Sequence, residues 1–116
     1  MDTDYIDIYQ IHWPSREIPH EETFRAFEKL IKDGKVRAIG VCNYGPGAME
    51  EIKNYHVVTN QLPYSLIWRL VEKGIVQKSV ENNIAVWAYC PLAQGLLTGK
   101  FRSIDVEPMD RRVTRF

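Results

Sequence analysis

An excess of charge of either sign is missing from this sequence: 15 basic and 15 acidic side chains cancel over 116 residues. A chain without net charge sets up no broad field toward nucleic acid or an anionic membrane, and neither is expected as a partner. Long apolar runs are missing too. None approaches the roughly 18 residues of a membrane span, and no signal-peptide pattern opens the chain. Cysteine is scarce: Cys42 and Cys90 are too few for a disulfide framework and lack metal-site spacing, so no metal is expected. A reducing cytoplasm is the expected compartment. There is no G-x-G-x-x-G turn, no internal linker and no low-complexity tract. What remains, 45% hydrophobic and 26% charged, is the ordinary composition of one small domain with a core.

The richest stretch is Tyr5–Pro14, YIDIYQIHWP. Its β-branched and aromatic residues predict a strand, ended by Pro14. At a period of two, Ile6, Ile8, Gln10 and His12 share one face, and Tyr5, Asp7, Tyr9 and Ile11 share the other. Large apolar groups on both faces predict a strand covered on both sides. His12 then sits at the carboxyl end of a parallel strand, where α/β folds place their chemistry.

Downstream, Phe24, Phe27, Leu30 and Ile31 recur at helical spacing, with Glu21 and Glu22 at the start and Gly34 as cap, predicting a helix over Glu21–Asp33. A second strand follows at Val36–Val41. Gly45-Pro46-Gly47 opens a short helix through Ala48, Met49 and Ile52. Val57–Gln61 is a third strand, ended by Pro63. Leu66–Glu72 reads as either loop or helix. Ile75, Val76, Ser79 and Val80 mark a third helix, closing near Asn82-Asn83, and Ile84–Tyr89 is a fourth strand. Leu92–Lys100 is a glycine-punctuated loop or turn.

Alternating buried strands and amphipathic helices mean an α/β fold with a parallel sheet and right-handed crossovers. Two closures are open, a doubly wound sheet or a (β/α)8 barrel. A barrel of about 250 residues has roughly 31 per unit, which makes this chain about half of one. Periodicity does not choose between the two.

Four segments taken in order, DYIDIYQIHWP, IGVCNYG, VTNQLPYSL and AYCPLAQGLLTGKF, resemble the second-half motifs of the aldo-keto reductase family. The resemblance runs from Asp4 to Phe101. The PLAxGLLTGK loop is similar to that of a branch that includes the potassium-channel β subunits. The resemblance implies a partial (β/α)8 TIM barrel, with the present strands as the fourth to seventh, and one partial domain over residues 1–116. It implies NADPH as cofactor, with NADH as the alternative, and an aldehyde or ketone carbonyl as substrate. Of the family's catalytic Asp, Tyr, Lys and His, only the His is matched, as His12. The other three are expected ahead of Met1, so the chain reads as a piece of a longer reductase.

Hydride transfer to a carbonyl leaves charge developing on oxygen, which calls for hydrogen bonds and a proton donor aimed at it. By resemblance His12 polarises and orients that carbonyl, and Trp13 forms a substrate-pocket wall; a loop anchor is the plainer role for Trp13. Cys42, Asn43 and Gln61 match the residues placed against the nicotinamide carboxamide, a group with both donor and acceptor sites that amide side chains suit. Serine is the commoner residue at Cys42. Tyr89 matches the aromatic stacked under the nicotinamide ring, with plain core as its alternative. Cys90, Pro91, Leu92, Ala93, Gln94 and Gly95 match the loop lining the pyrophosphate, with Lys100 supplying positive charge. Arg111 and Arg112 match loosely an arginine toward the adenosine end. Rival readings are a nucleotide-sensing regulatory subunit and a fragment without catalysis. The oligomeric state is left open.

Overall fold

A computed structural model describes residues 2–101, so Arg111 and Arg112 lie outside the described residues. The elements are β1 (Ile6–Ile11), α1 (His20–Lys32), β2 (Val36–Cys42), α2 (Pro46–Glu51), β3 (Val57–Pro63), α3 (Ile75–Glu81) and β4 (Ala85–Tyr89). Short 3-10 turns stand at Leu70–Glu72 and Ala93–Thr98. The ambiguous Leu66–Glu72 stretch is therefore loop ending in a single tight turn. There Arg69 grips Glu72 with two 2.8 Å hydrogen bonds, and the Tyr64 hydroxyl donates to the same carboxylate.

The strands lie in the order β1-β2-β3-β4, and every neighbouring pair is parallel. A doubly wound sheet reverses its order at a switch point, whereas a barrel advances strand by strand. The unbroken order selects the barrel. The helices cover one face, where Phe24, Phe27, Met49 and Ile52 pack with Ile39, Val41 and Val57. Phe24 is the centre of this layer, fully buried and stacked on Tyr55 at 4.1 Å between ring centroids.

Face assignment in β3 turns on an irregularity. Ile39 pairs with Val57 but Gly40 pairs with Thr59, so Val58 is an extra residue in the ladder. The inserted residue puts Val57 with the helices and then turns Thr59 and Gln61 to the opposite face, beside Gly40 and Cys42. Without it, the side-chain alternation would send Gln61 toward the helices. On the helix-free face, Gln10 Nε2 donates to Thr59 Oγ1 at 3.2 Å. Gly40 lies between them: a Cβ there would stand 2.3 Å from Thr59 Oγ1 and 2.8 Å from Gln10 Cγ.

Three expectations need correction. β1 is an edge strand of the described sheet, and Ile6 and Tyr9 are 39% and 44% exposed rather than covered on both sides. Its apolar character reflects what a closed barrel requires, not what covers it here. β3 runs two residues beyond Gln61, and Pro63, paired with Tyr89, ends it as its last residue. α1 begins at His20, one residue early, where His20 Nδ1 meets Glu51 Oε2 of α2 at 3.1 Å.

Candidate active site

The carboxyl ends of the four strands bring the expected residues together. β2 ends at Cys42, and Asn43 follows in the left-handed region, at φ 63°. Asparagine adopts this conformation more readily than most residues. The turn interrupts strand alternation, so Tyr44 returns to the helix layer and is almost completely buried there. Burial, with smaller contributions from Glu51 and Cys42, pushes the Tyr44 phenol up to about 12.

Asn43 is the junction of the site. Its Nδ2 donates to the His12 carbonyl oxygen at 3.1 Å, and its Oδ1 accepts from the Tyr89 hydroxyl at 3.0 Å. Its backbone N–H donates to the Gln61 carbonyl at 2.9 Å. Cys42 Sγ donates to Gln61 Oε1 at 3.4 Å. Burial raises the Cys42 thiol, which keeps it protonated and able to donate. His12, Cys42, Asn43, Gln61 and Tyr89 thus form one hydrogen-bonded arc from β1 to β4.

Trp13 projects into solvent, 59% exposed, with its ring centroid 6.0 Å from that of His12. The His12 ring is exposed on the same rim. Tyr89 is half-buried, and its phenol is raised mainly by burial, then by Cys90 and Cys42. The neutral hydroxyl is the form that donates to Asn43.

The loop after β4 is more structured than its glycines alone indicate. Cys90, Ala93 and Gln94 take positive φ at 54°, 48° and 55°, and Gly95 takes 99°. Clustered left-handed residues cost energy and persist where surrounding contacts impose them. Here Ala93 N–H donates to the Cys90 carbonyl at 2.8 Å, and the N–H groups of Gly95 and Leu97 both reach the Leu92 carbonyl. Lys100 folds back across Gly95: a Cβ there would meet Lys100 Cε at 2.8 Å and Nζ at 3.0 Å. Lys100 Nζ also lies 4.8 Å from the Phe101 ring centre. Pro91 and Leu92 form the exposed lip, and Ala93 is buried. Gln94 Oε1 is buried with no partner among the described residues. The structure therefore brings Cys90 to Gly95 and Lys100 into one turn beside the arc.

The sequence pattern alone does not single out Asn60. Completely buried, it donates from Nδ2 to the Tyr44 carbonyl at 2.9 Å and accepts from the Tyr44 N–H at 3.4 Å. A polar residue facing the helix layer of a buried strand was the available signal; the bulge at Val58 hid which face it occupies.

These residues suit a nicotinamide dinucleotide by their chemistry. Two amide side chains and a thiol converge at one mouth beside an aromatic ring, and a tight loop with a lysine stands next to them. The model of the "Aldo/keto reductase family" matches residues 1–115. "Aldo-keto reductase YhdN" of Bacillus subtilis is 40% identical over 104 residues, covering 86% of this chain and 30% of that protein. The "NADH-specific methylglyoxal reductase" of Escherichia coli is 39% identical over 100 residues, covering 83% and 31%. Among solved structures, the glycerol dehydrogenase AKR11B4 of Gluconobacter oxydans superimposes with a TM-score of 0.85 at 38% identity, covering 97% of this chain and 35% of that one. An aldo-keto reductase of Klebsiella pneumoniae in complex with NADPH gives 0.78 at 38% identity, covering 89% and 38%. The chain thus spans about a third of the length of the relatives it matches. A sequential parallel sheet with its polar arc at the strand mouths, and a match along nearly the whole chain, lead to one conclusion: the chain belongs to the aldo-keto reductase family.

Proposed function

We propose that this chain is the nicotinamide-binding part of an oxidoreductase that reduces small aldehydes or ketones, with NADPH as cofactor and NADH as the alternative. The observation that carries the reading is the arc itself. The Asn43 amide is tied to His12 at one end and Tyr89 at the other, with Gln61 fastened to Cys42 beside it. An amide with both ends already oriented presents its remaining donor and acceptor positions in fixed directions, which suits a carboxamide. Binding without reorganisation follows from that order.

In this reading the bound cofactor supplies the hydride. Asn43 and Gln61 hold the carboxamide, Tyr89 supports the ring from one side, and the loop from Cys90 to Gly95 with Lys100 faces the diphosphate. His12 donates a hydrogen bond to the substrate oxygen and stabilises charge as it develops there. Trp13, on the exposed rim, excludes water and shapes the pocket. The proton itself requires the family's tyrosine, with its Asp and Lys, which have no match within these 116 residues. The chain alone is therefore expected to be inactive.

The test is nicotinamide fluorescence and NADPH oxidation in the intact protein, with methylglyoxal as carbonyl. Saturable binding and carbonyl-dependent oxidation support an enzyme. Binding without oxidation of any small carbonyl favours the nucleotide-sensing regulatory subunit instead. Absence of binding overturns the reading.

A further inference from the structure

We infer that Asn60 is the positioning residue for Asn43: from the opposite side of the sheet it fixes the peptide plane that aims the Asn43 amide into the site. The inference rests on the assignment of Asn43 to the nicotinamide carboxamide.

Three backbone groups bracket Asn43. Its own N–H is held by the Gln61 carbonyl at 2.9 Å. The N–H and carbonyl of the next residue, Tyr44, are both held by the Asn60 amide, at 3.4 and 2.9 Å. An Asn43 at φ 63° has no strand or helix ladder to enforce its conformation, so these anchors must do so. Tyr44 is 1% exposed and Asn60 0%, so water cannot replace the amide at either group. The side-chain amide acts as a short piece of β-ladder where the real ladder has ended.

The sequence arranges this with adjacent residues. The extra Val58 turns Asn60 to the helix layer, level with Val41, and Gln61 to the site, level with Cys42. Asn60 thus holds the backbone behind Asn43 while Gln61 holds it in front. One dipeptide serves both faces of the same turn. Among the described residues, Asn60 is the side chain that bonds the Tyr44 backbone.

A residue acting this way should affect the nicotinamide end of the cofactor and spare the adenosine end. Asn60→Asp keeps an acceptor for the Tyr44 N–H but sets a carboxylate oxygen against its carbonyl. Asn60→Ser is smaller and neutral, and serves if the aspartate variant does not fold. The measurement is the affinity of the intact protein for NADPH and for 2′-phospho-ADP-ribose, which lacks nicotinamide, with Asn43→Ala in parallel. The expected result is a loss of roughly tenfold for NADPH, the size of one hydrogen bond's misplacement, with affinity for the analogue unchanged within about twofold. Equal losses for both ligands would make Asn60 merely structural, and no loss for either would remove its role; each overturns the inference while Asn43→Ala still weakens NADPH. If Asn43→Ala binds NADPH as the parent does, the Asn43 assignment fails and the inference falls with it. A readout that needs no variant is hydrogen exchange at the Tyr44 amide: NADPH should slow it and the analogue should not, and equal protection by both overturns the inference.

Discussion

Tyr89 carries two separable contributions on one side chain. Its ring offers an apolar platform, and its hydroxyl sets the direction of the Asn43 amide through a 3.0 Å hydrogen bond. Tyr89→Phe keeps the platform and releases the amide, so NADPH affinity should fall by about fivefold, near 1 kcal/mol for one hydrogen bond. Tyr89→Ala removes both, and the loss should be larger by the additional 0.5–1.5 kcal/mol typical of aromatic stacking. Fluorescence titration of the two variants checks the order; equal affinities for phenylalanine, alanine and parent would return Tyr89 to plain core. Residue types were legible in the sequence because motif context named them: His12, Asn43, Gln61 and Tyr89 do meet at one mouth. What pattern could not give is the wiring among them. That depends on the φ of 63° at Asn43 and on the partners of Asn60, neither of which a period-two reading contains.

At the scale of elements, hydrophobic periodicity located the described strands and helices to within a few residues, because each carries apolar residues at its own period, buried most fully in α1, β2 and β3. Phe24 and Phe27 mark the buried side of α1, and Ile39 and Val41 the covered side of β2. The failures lie where a single backbone event shifts the pattern. The additional Val58 reverses the faces of β3 midway, so counting by two from Val57 would place Gln61 on the wrong side. The left-handed residues Ala93 and Gln94 turn the last loop into tight 3-10 turns that propensity does not anticipate. In helix α1 Phe24 is fully buried and stacked on the Tyr55 ring. Phe24→Ala in the intact protein should cost about 3–5 kcal/mol of stability through lost burial and the cavity left behind. Urea unfolding followed by circular dichroism measures this; a change below about 1 kcal/mol would mean that the helix layer is held elsewhere.

For the whole molecule, the sequential order β1-β2-β3-β4 does what composition could not: it selects the barrel over the open sheet. It also leaves β1 and β4 as the two edges of the described sheet, with Ile6, Tyr9 and Trp87 exposed. Neither edge strand carries an internal proline or lysine to blunt pairing. The 116-residue chain expressed alone should therefore self-associate rather than stay monomeric, and light scattering should give a mass of at least two copies. A stable, compact monomer would contradict the picture of edges that await partners.

The central claim is that the strand-mouth arc is a carbonyl-reducing site with His12 acting on substrate rather than on nucleotide. The most direct test compares parent and His12→Ala intact proteins, with turnover of methylglyoxal read from NADPH oxidation and cofactor affinity from fluorescence. The account predicts that kcat falls by about a hundredfold or more, the scale of losing a positioned hydrogen-bond or proton donor in the transition state. NADPH affinity should stay within about twofold of the parent. Turnover unchanged while NADPH affinity is lost would contradict it.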